Sequence, residues 1–430
     1  MLVLYSLLFT LSMLLMSPLF LLRRQKYASG FSERLGNFPK FDQDSRKVIW
    51  LHCVSVGETN AARPLVDELV KQFPAHRLVV SNTTKTGHDL ANKVFAGKAD
   101  AVFYSPFDWK FSVRRALNNY HPDLLLLMET EIWPRLIVEA KRTGAKVAIV
   151  NGRLSQRSFE RYSKIDGFVQ LILKSVDCGL MQSNKDAERI ESLGLDANKI
   201  EVTGNLKFDI SSDGHEKALS QQFRERFRLD GSRPLVIAAS THEPEEKLIL
   251  RSLNESLRHD ARLMIAPRHP ERFDEVAELI KSTRFRTVRR SDKPSERDRS
   301  ADIILLDSIG ELRAAFSLAS IVFVGGSLIP HGGQSILEPA LFGTAMVTGP
   351  HTHNFNDVVK LFIAQNALIQ LPETQSEDET VQFLTQQLEK LLHDRKKRDE
   401  LGSNALAVME ANHGATATTI AELAKLIDAA

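Results

Sequence analysis

Cysteine is scarce in this chain: Cys53 and Cys178 are the only two among 430 residues. Two are too few for a disulfide framework or a cysteine-based zinc site at this length, and they fit a reducing compartment. Neither charge is in marked excess. The formal net charge is +2, which gives no bulk electrostatic argument for a nucleic-acid partner. No G-x-G-x-x-G follows a strand-like run and no Walker A sequence occurs, so dinucleotide oxidoreductases and P-loop NTPases lose their usual support. The thirteen histidines contain no HExxH. No DxD-like acidic cluster lies near the other acidic motifs, and no metal site is expected. With 43% hydrophobic and 26% charged residues, the composition is that of a globular protein. The length exceeds one ordinary core, so two domains plus appendages are expected.

One stretch lacks charge altogether. Residues 2–22 (LVLYSLLFTLSMLLMSPLFLL) are followed at once by Arg23, Arg24 and Lys26. As a helix the run reaches about 31 Å, close to the hydrocarbon thickness of a bilayer. A cleaved signal would carry basic residues before the run and small residues after it. Neither is present, and the basic residues directly after the run predict a retained anchor with the remaining chain on the cytoplasmic side. Pro18 permits a kink or a shallow interfacial placement. Between 23 and 47, seven Lys or Arg face Glu33, Asp42 and Asp44, a balance of +4. Such a patch suits an anionic membrane surface, with a solvated linker as the alternative.

Beyond it, short apolar runs alternate with helical-period segments, as in βαβ units. Strands are expected at 48–54, 77–83, 101–105, 123–129, 146–150, 178–182 and 200–203, then at 235–240, 262–266, 285–289, 302–306, 321–325 and 344–348. The expected fold class is α/β, two doubly wound domains in tandem. Their division is 1–26 for the anchor and basic flank, 27–209 for the first domain, and 210–430 for the second with a helical tail. Ligands of such sheets bind where strands turn into helices at their carboxyl ends.

Those turns hold the chemistry. Glu58 in SVGE opens a helix after the first strand: a helix amino end stabilises its carboxylate and enclosure raises its pKa, so it is either a base or a structural cap. Glu129 and Glu131 flank Thr130 after LLLLM. Arg268 and His269, in PRHPER, follow a strand, and a guanidinium there suits a phosphate. Lys207 in GNLKFD can neutralise a leaving phosphate or be merely solvated. Gly325-Gly326-Ser327 ends a strand, and Gly332-Gly333 precede a run with helical character over 334–342, where backbone N–H groups can cradle an anion. Glu338 would sit one turn into that helix, within reach of ribose hydroxyls. His351 and His353, in GPHTHNF, have a metal-like spacing but are expected to line or brace a nucleotide pocket.

Taken in order, SVGE, METEIWP, NGRLSQRS, GNLKFD, STHEPEE, PRHPERF, GEL, FVGGS and LEPALFG resemble the motifs of bacterial 3-deoxy-D-manno-oct-2-ulosonic acid (Kdo) transferases over roughly 30 to 360. The resemblance implies a GT-B fold, two Rossmann-like domains facing a cleft, with an amino-terminal membrane segment. It also implies an inverting transfer of Kdo from CMP-Kdo to a lipid A precursor (lipid IVA) in lipopolysaccharide synthesis, on the cytoplasmic side of the inner membrane, without a metal cofactor. By position it makes Glu58 the catalytic base and Glu129 and Lys207 transition-state stabilising residues. Pro267, Arg268, Ile309, Gly310, Glu311, Ser335, Ile336, Leu337 and Glu338 match CMP-binding loops. Gln334-Ser335 stand where the family typically has His-Asn, and Pro244 where it has Gly, which bears on individual donor contacts. Two rivals remain: another GT-B enzyme, transferase or epimerase, using a UDP-sugar, and a non-catalytic, membrane-tethered lipid A binding protein.

Overall fold

The computed structural model describes residues 1–22, 29–210, 214–254 and 261–428. The chain forms two compact units, Met1–Asp209 with Asn412–Ala430, and Ile210–Ala411.

Seven parallel strands build the first unit: β1 Lys47–Cys53, β2 His76–Asn82, β3 Ala101–Tyr104, β4 Leu124–Met128, β5 Lys146–Gly152, β6 Cys178–Met181 and β7 Ile200–Val202. Their order is β3-β2-β1-β4-β5-β6-β7. Central strands such as LLLLM are buried along their whole length, because helices cover both faces of a parallel sheet and leave no polar side. One face packs Trp50, Leu125 and Leu127 against helix residues Val113, Leu136 and Ile137. The other packs Leu51, Leu126 and Val150 against Leu65 and Leu69. The chain leaves β1 toward β2 and β3, then returns to lay β4 on the other side of β1. Between β1 and β4 lies the switch point, where successive crossovers part and open a crevice at the carboxyl edge.

The second unit repeats the scheme with β8 Leu235–Thr241, β9 Arg262–Pro267, β10 Thr287–Arg289, β11 Ile303–Leu305, β12 Ile321–Val324, β13 Ala345–Thr348 and β14 Ile369–Gln370. The order is β10-β11-β9-β8-β12-β13-β14, all parallel, with the switch point between β8 and β12. Thirteen strands fall where the apolar runs predict. The fourteenth, two residues long, carries no periodic signal.

Three expectations change. The tail does not stay with the second unit: Ala415, Ile420 and Leu423 are buried in the first unit's core, and Asp209 accepts hydrogen bonds from the backbone N–H groups of Gly414, at 2.7 Å, and of Thr416. The amino-terminal run is a helix, Leu2–Leu22, but belongs to the first unit rather than standing apart. Tyr5 donates to Asp108 at 2.8 Å, Arg135 donates to Ser6 Oγ at 2.9 Å and to the Leu2 carbonyl at 2.8 Å, and Trp109 donates to Thr10 at 2.9 Å. Among the described residues no helix is long and apolar enough to cross a membrane. The basic patch also loses members. Arg34 is buried, donating to the carbonyls of Ser29 and Thr83, and Arg46 is paired with Asp44 at 2.7 Å. Arg23, Arg24 and Lys26 lie outside the described residues.

Candidate active site

In the first unit the switch point gathers carboxylates. After β1, Ser55 caps the helix Val56–Ala61, its side chain accepting from the Glu58 N–H at 3.4 Å. Glu58 reciprocates: its Oε1 accepts the Ser55 hydroxyl at 3.0 Å and its Oε2 the Val54 N–H at 2.6 Å. S-x-x-E is thus read locally as a reciprocal cap. Capping does not exhaust the residue, for Glu58 is only 5% exposed. Burial pushes its pKa up to about 8 against the Val54 N–H, with the charges of Glu129 and Glu131 adding to the rise. Cap and base are therefore compatible in one side chain, since each carboxylate oxygen keeps a lone pair beyond the hydrogen bond it accepts.

Glu129 follows β4 directly, in the left-handed region at φ 55°, which non-glycine residues seldom enter. This turn ends the strand abruptly and leaves its carboxylate beside Lys207, whose Nζ lies 3.3 Å from Oε1. Lys207 is placed by a second left-handed residue, Asn151 (φ 54°) at the end of β5. The Asn151 side chain accepts the Leu206 N–H at 3.0 Å and fixes the short turn Leu206–Phe208. Within NGRLSQRS the sequence pattern does not single out Asn151. A signal was nonetheless there: asparagine at a strand end is a residue type that tolerates φ > 0 and bonds the backbone. Glu131 is brought to the same edge, and burial, then the Glu129 charge, raises its pKa. Glu58, Glu129 and Lys207, far apart in sequence, thus share one site.

Donors dominate the second unit's switch point. After β8 the buried Glu245 accepts four backbone N–H groups: His242 at 2.9 Å and Gly326 at 2.7 Å on Oε2, and Ser327 and Leu328, each at 2.9 Å, on Oε1. Burial raises its pKa while those four donors pull it down. This carboxylate ties the loop after β8 to the glycine-rich loop after β12. STHEPEE drew attention for Pro244, yet its functional weight lies in Glu245. Gly325 has no alternative, because a Cβ there would stand 2.8 Å from the Ser240 carbonyl oxygen and from the Thr241 Cα.

Around this loop cluster His242, His269 and His331, with ring centroids 5.2 Å and 4.1 Å from His242. Burial first, then the charges of His331, His269 and Arg268, pushes the His242 pKa down to about 4. Gln334 Nε2 lies 3.3 Å from His242 Nε2, so the departure from His-Asn is absorbed into this cluster. Arg268 is exposed just beyond β9, whereas Arg272 is committed to Glu246 at 2.8 Å and Glu275 at 2.8 Å. His351 braces the site through its backbone N–H to the Ser327 carbonyl at 3.0 Å. No group of three or more His, Cys, Asp or Glu among the described residues could hold a metal.

Other donor-loop positions divide. Ile309 is 73% exposed beside Gly310, and Glu311 is paired with Arg290 at 3.0 Å. Ser335 Oγ accepts the Leu337 N–H at 3.4 Å. Pro267 closes β9 and is buried; Ile336 and Leu337 are buried as well, so these three offer a ligand backbone at most. The helix expected over 334–342 is four residues, Leu337–Ala340, with Glu338 in its first turn. It is short because Gly332 and Gly333 hold left-handed backbone before it and Gly343 after it.

A family model described as 3-deoxy-D-manno-octulosonic-acid transferase (kdotransferase) matches residues 29–210. The 3-deoxy-D-manno-octulosonic acid transferase of Haemophilus influenzae is 34% identical over 396 residues, 91% of this chain and 90% of that protein. The enzyme of the same name from Bordetella pertussis is 31% identical, covering 86% of each. Among solved structures, a UDP-GlcNAc 2-epimerase from Neisseria meningitidis superposes over 88% of this chain and all of that one, with TM-score 0.56 at 14% identity. That likeness speaks for the fold alone: two Rossmann-like units of the GT-B kind.

Proposed function

Since the chain belongs to the 3-deoxy-D-manno-octulosonic acid transferase family and is a glycosyltransferase, we propose that it moves Kdo from CMP-Kdo to a lipid A precursor, lipid IVA, with inversion at the anomeric carbon. The observation that carries the mechanism is Glu58, buried at a switch point with its pKa near 8. A carboxylate of that basicity accepts a proton from an acceptor hydroxyl as the oxygen attacks, which an ordinary carboxylate does poorly. The bond from the anomeric carbon to the CMP phosphate breaks in the same step, so one displacement gives inversion. Glu129 stabilises positive charge developing on the sugar ring, and Lys207 holds the Glu129 carboxylate in place. CMP is held by the second unit, its phosphate by Arg268 and the backbone N–H groups of the glycine-rich loop. No metal is required in this scheme.

The enzyme is proposed to work at the cytoplasmic face of the inner membrane. Val3, Leu4, Leu7, Leu8, Leu11, Leu14 and Leu15 of the amino-terminal helix are exposed, while its other face is hydrogen-bonded to the first unit. An exposed apolar side opposite a side bonded to the first unit supports placing this helix against the bilayer surface.

The test is product mass spectrometry with the purified full-length chain, CMP-Kdo and lipid IVA. A mass gain of one or more Kdo units is expected. Turnover of a UDP-sugar in preference, or binding of lipid IVA without any transfer, would replace this reading with one of its rivals.

A further inference from the structure

The first unit contains an apolar cavity of about 270 Å³ that the chemistry above does not use. Tyr5 of the amino-terminal helix, Trp133 after β4, and Ile165, Phe168 and Ile172 of a later segment line it. Its one carboxylate is Glu131, two residues from Glu129 and close enough for its charge to act on Glu58. The cavity therefore adjoins the proposed catalytic edge.

Two observations tell against an ordinary packing gap. The cavity is open to the surface, and its volume approaches that of a ligand site. Its walls are held in place by bonds made elsewhere: the Tyr5 hydroxyl is committed to Asp108 and the Tyr5 ring stacks on Phe168 with centroids 5.7 Å apart. An apolar cavity with a single carboxylate among its lining residues suits a hydrocarbon chain whose polar end lies toward the catalytic edge. At the rim Ile165 is 52% exposed, and the helix that supplies Tyr5 continues into the exposed face of Leu4 and Leu8.

We infer that this cavity takes a saturated acyl chain of the amphiphilic acceptor and thereby seats the acceptor's sugar beside Glu58. The inference rests on the acceptor class of the proposed function. It makes the amino-terminal helix a wall of the acceptor site as well as a contact with lipid.

Two measurements on the full-length chain test it. In the first, transfer is followed to the acylated acceptor and to the same disaccharide with its acyl chains removed, in the parent and in Ile165→Trp, which fills the cavity from an exposed position. Each methylene kept out of an apolar site costs roughly fourfold in affinity. KM for the acylated acceptor is therefore expected to rise more than about tenfold, with KM for the deacylated acceptor and for CMP-Kdo unchanged. Equal KM values for the two acceptors in the parent, or equal changes on both in the variant, would overturn the inference. The second needs no turnover: in a Trp109→Phe background, which removes the indole bonded to the lipid-facing helix, a bromine-bearing alkyl detergent should quench tryptophan fluorescence, and Trp133→Phe should remove most of that quenching. Quenching that survives Trp133→Phe in that background overturns the acyl site. Absence of transfer to either acceptor with Trp133 quenching intact instead overturns the proposed reaction and leaves an apolar-chain site standing.

Discussion

The two units share an architecture and differ in sign. Each is a seven-stranded parallel sheet with a switch point beside its first strand, and each places its special residues in the loops flanking that point. In the first unit these loops carry Glu58, Glu129 and Glu131, with Lys207 as counter-charge. In the second they carry Arg268, three histidines and a row of backbone N–H groups, and a buried carboxylate, Glu245, faces inward to hold the row together. The fold thus supplies the crevice, and the loops decide which charge lines it. Burial works in both, to different ends: it makes Glu58 basic, and in Glu245 it is offset by four hydrogen bonds that turn a costly group into a brace.

The strongest way to break this comparison is Glu58→Gln. Loss of a general base costs about 10²–10⁴ in rate, while a weakened cap costs only about 0.5–2 kcal/mol of stability. Near-abolished transfer is expected, with CMP affinity unchanged and a small fall in melting temperature. The pH profile gives an independent check. Only the ionised Glu58 accepts a proton, so kcat/KM should climb as pH rises toward about 8 and level off above it. Because the folded-state pKa lies above the unfolded one, the group's contribution to stability is fully present below pH 4 to 5 and is lost as pH rises through 8. Glu58→Gln should therefore hold its melting temperature better than the parent on the alkaline side. An ordinary rate in Glu58→Gln would make the residue a cap, and the base would then be sought at Glu129 or Glu131.

Glu245→Ala sharpens the contrast from the other side. It strands four N–H groups in a buried loop, each costing about 1–3 kcal/mol if unsatisfied. CMP binding should be lost and the second unit should melt earlier, while proteolytic protection of the first unit's strands is retained. Were CMP affinity to survive, the glycine-rich loop would not depend on its brace.

How far the sequence discloses this division depends on the kind of signal. Thirteen strands are visible because a doubly covered parallel strand is a continuous apolar run, and β14 is invisible because two residues carry no period. Glu58, Glu129 and Lys207 are visible only as members of ordered motifs; their convergence is a tertiary fact. Lys207 read alone is indistinguishable from a solvated lysine, and it gains meaning from the 3.3 Å contact with Glu129. Ile336 and Leu337 lie inside a matching motif, yet their side chains serve the core. Residues 412–430 read as part of the second unit because sequence adjacency cannot show that Leu423 is buried against the first core. Asn151 and Glu245 escape because their roles consist of hydrogen bonds to backbone, which no spacing specifies; for Asn151 the residue type at a strand end is the one signal.

A smaller effect is expected at Arg268. It is exposed and its neighbour Arg272 is already paired, so Arg268→Ala should leave stability within about 0.5 kcal/mol. A charge-assisted hydrogen bond to phosphate contributes about 1.5–3 kcal/mol, which corresponds to a weakening of CMP binding by roughly 10- to 150-fold. Isothermal titration with CMP reads this directly, and cytidine, which lacks the phosphate, should bind parent and variant alike. A parallel loss with cytidine would mean that Arg268 shapes the pocket without meeting the phosphate.

The smallest expected effect is none at all, and it tests the comparison where the two halves must agree. In the first unit the carboxylate Glu129 already has a cationic partner in Lys207, so a divalent ion would have to displace an ammonium held at 3.3 Å. In the second, the groups proposed to meet the phosphate are a guanidinium and backbone N–H groups, which repel or ignore a metal, and no group of three or more His, Cys, Asp or Glu among the described residues could hold one. Negative charge on the departing CMP is then neutralised by protein donors, as preorganised dipoles and cations do when water is excluded. Turnover measured in excess chelator should equal turnover without it, and added magnesium or manganese should not raise kcat. A large loss that either ion restores would show that the leaving group departs onto a metal, and would transfer to that ion the role proposed for Arg268 and the glycine-rich loop.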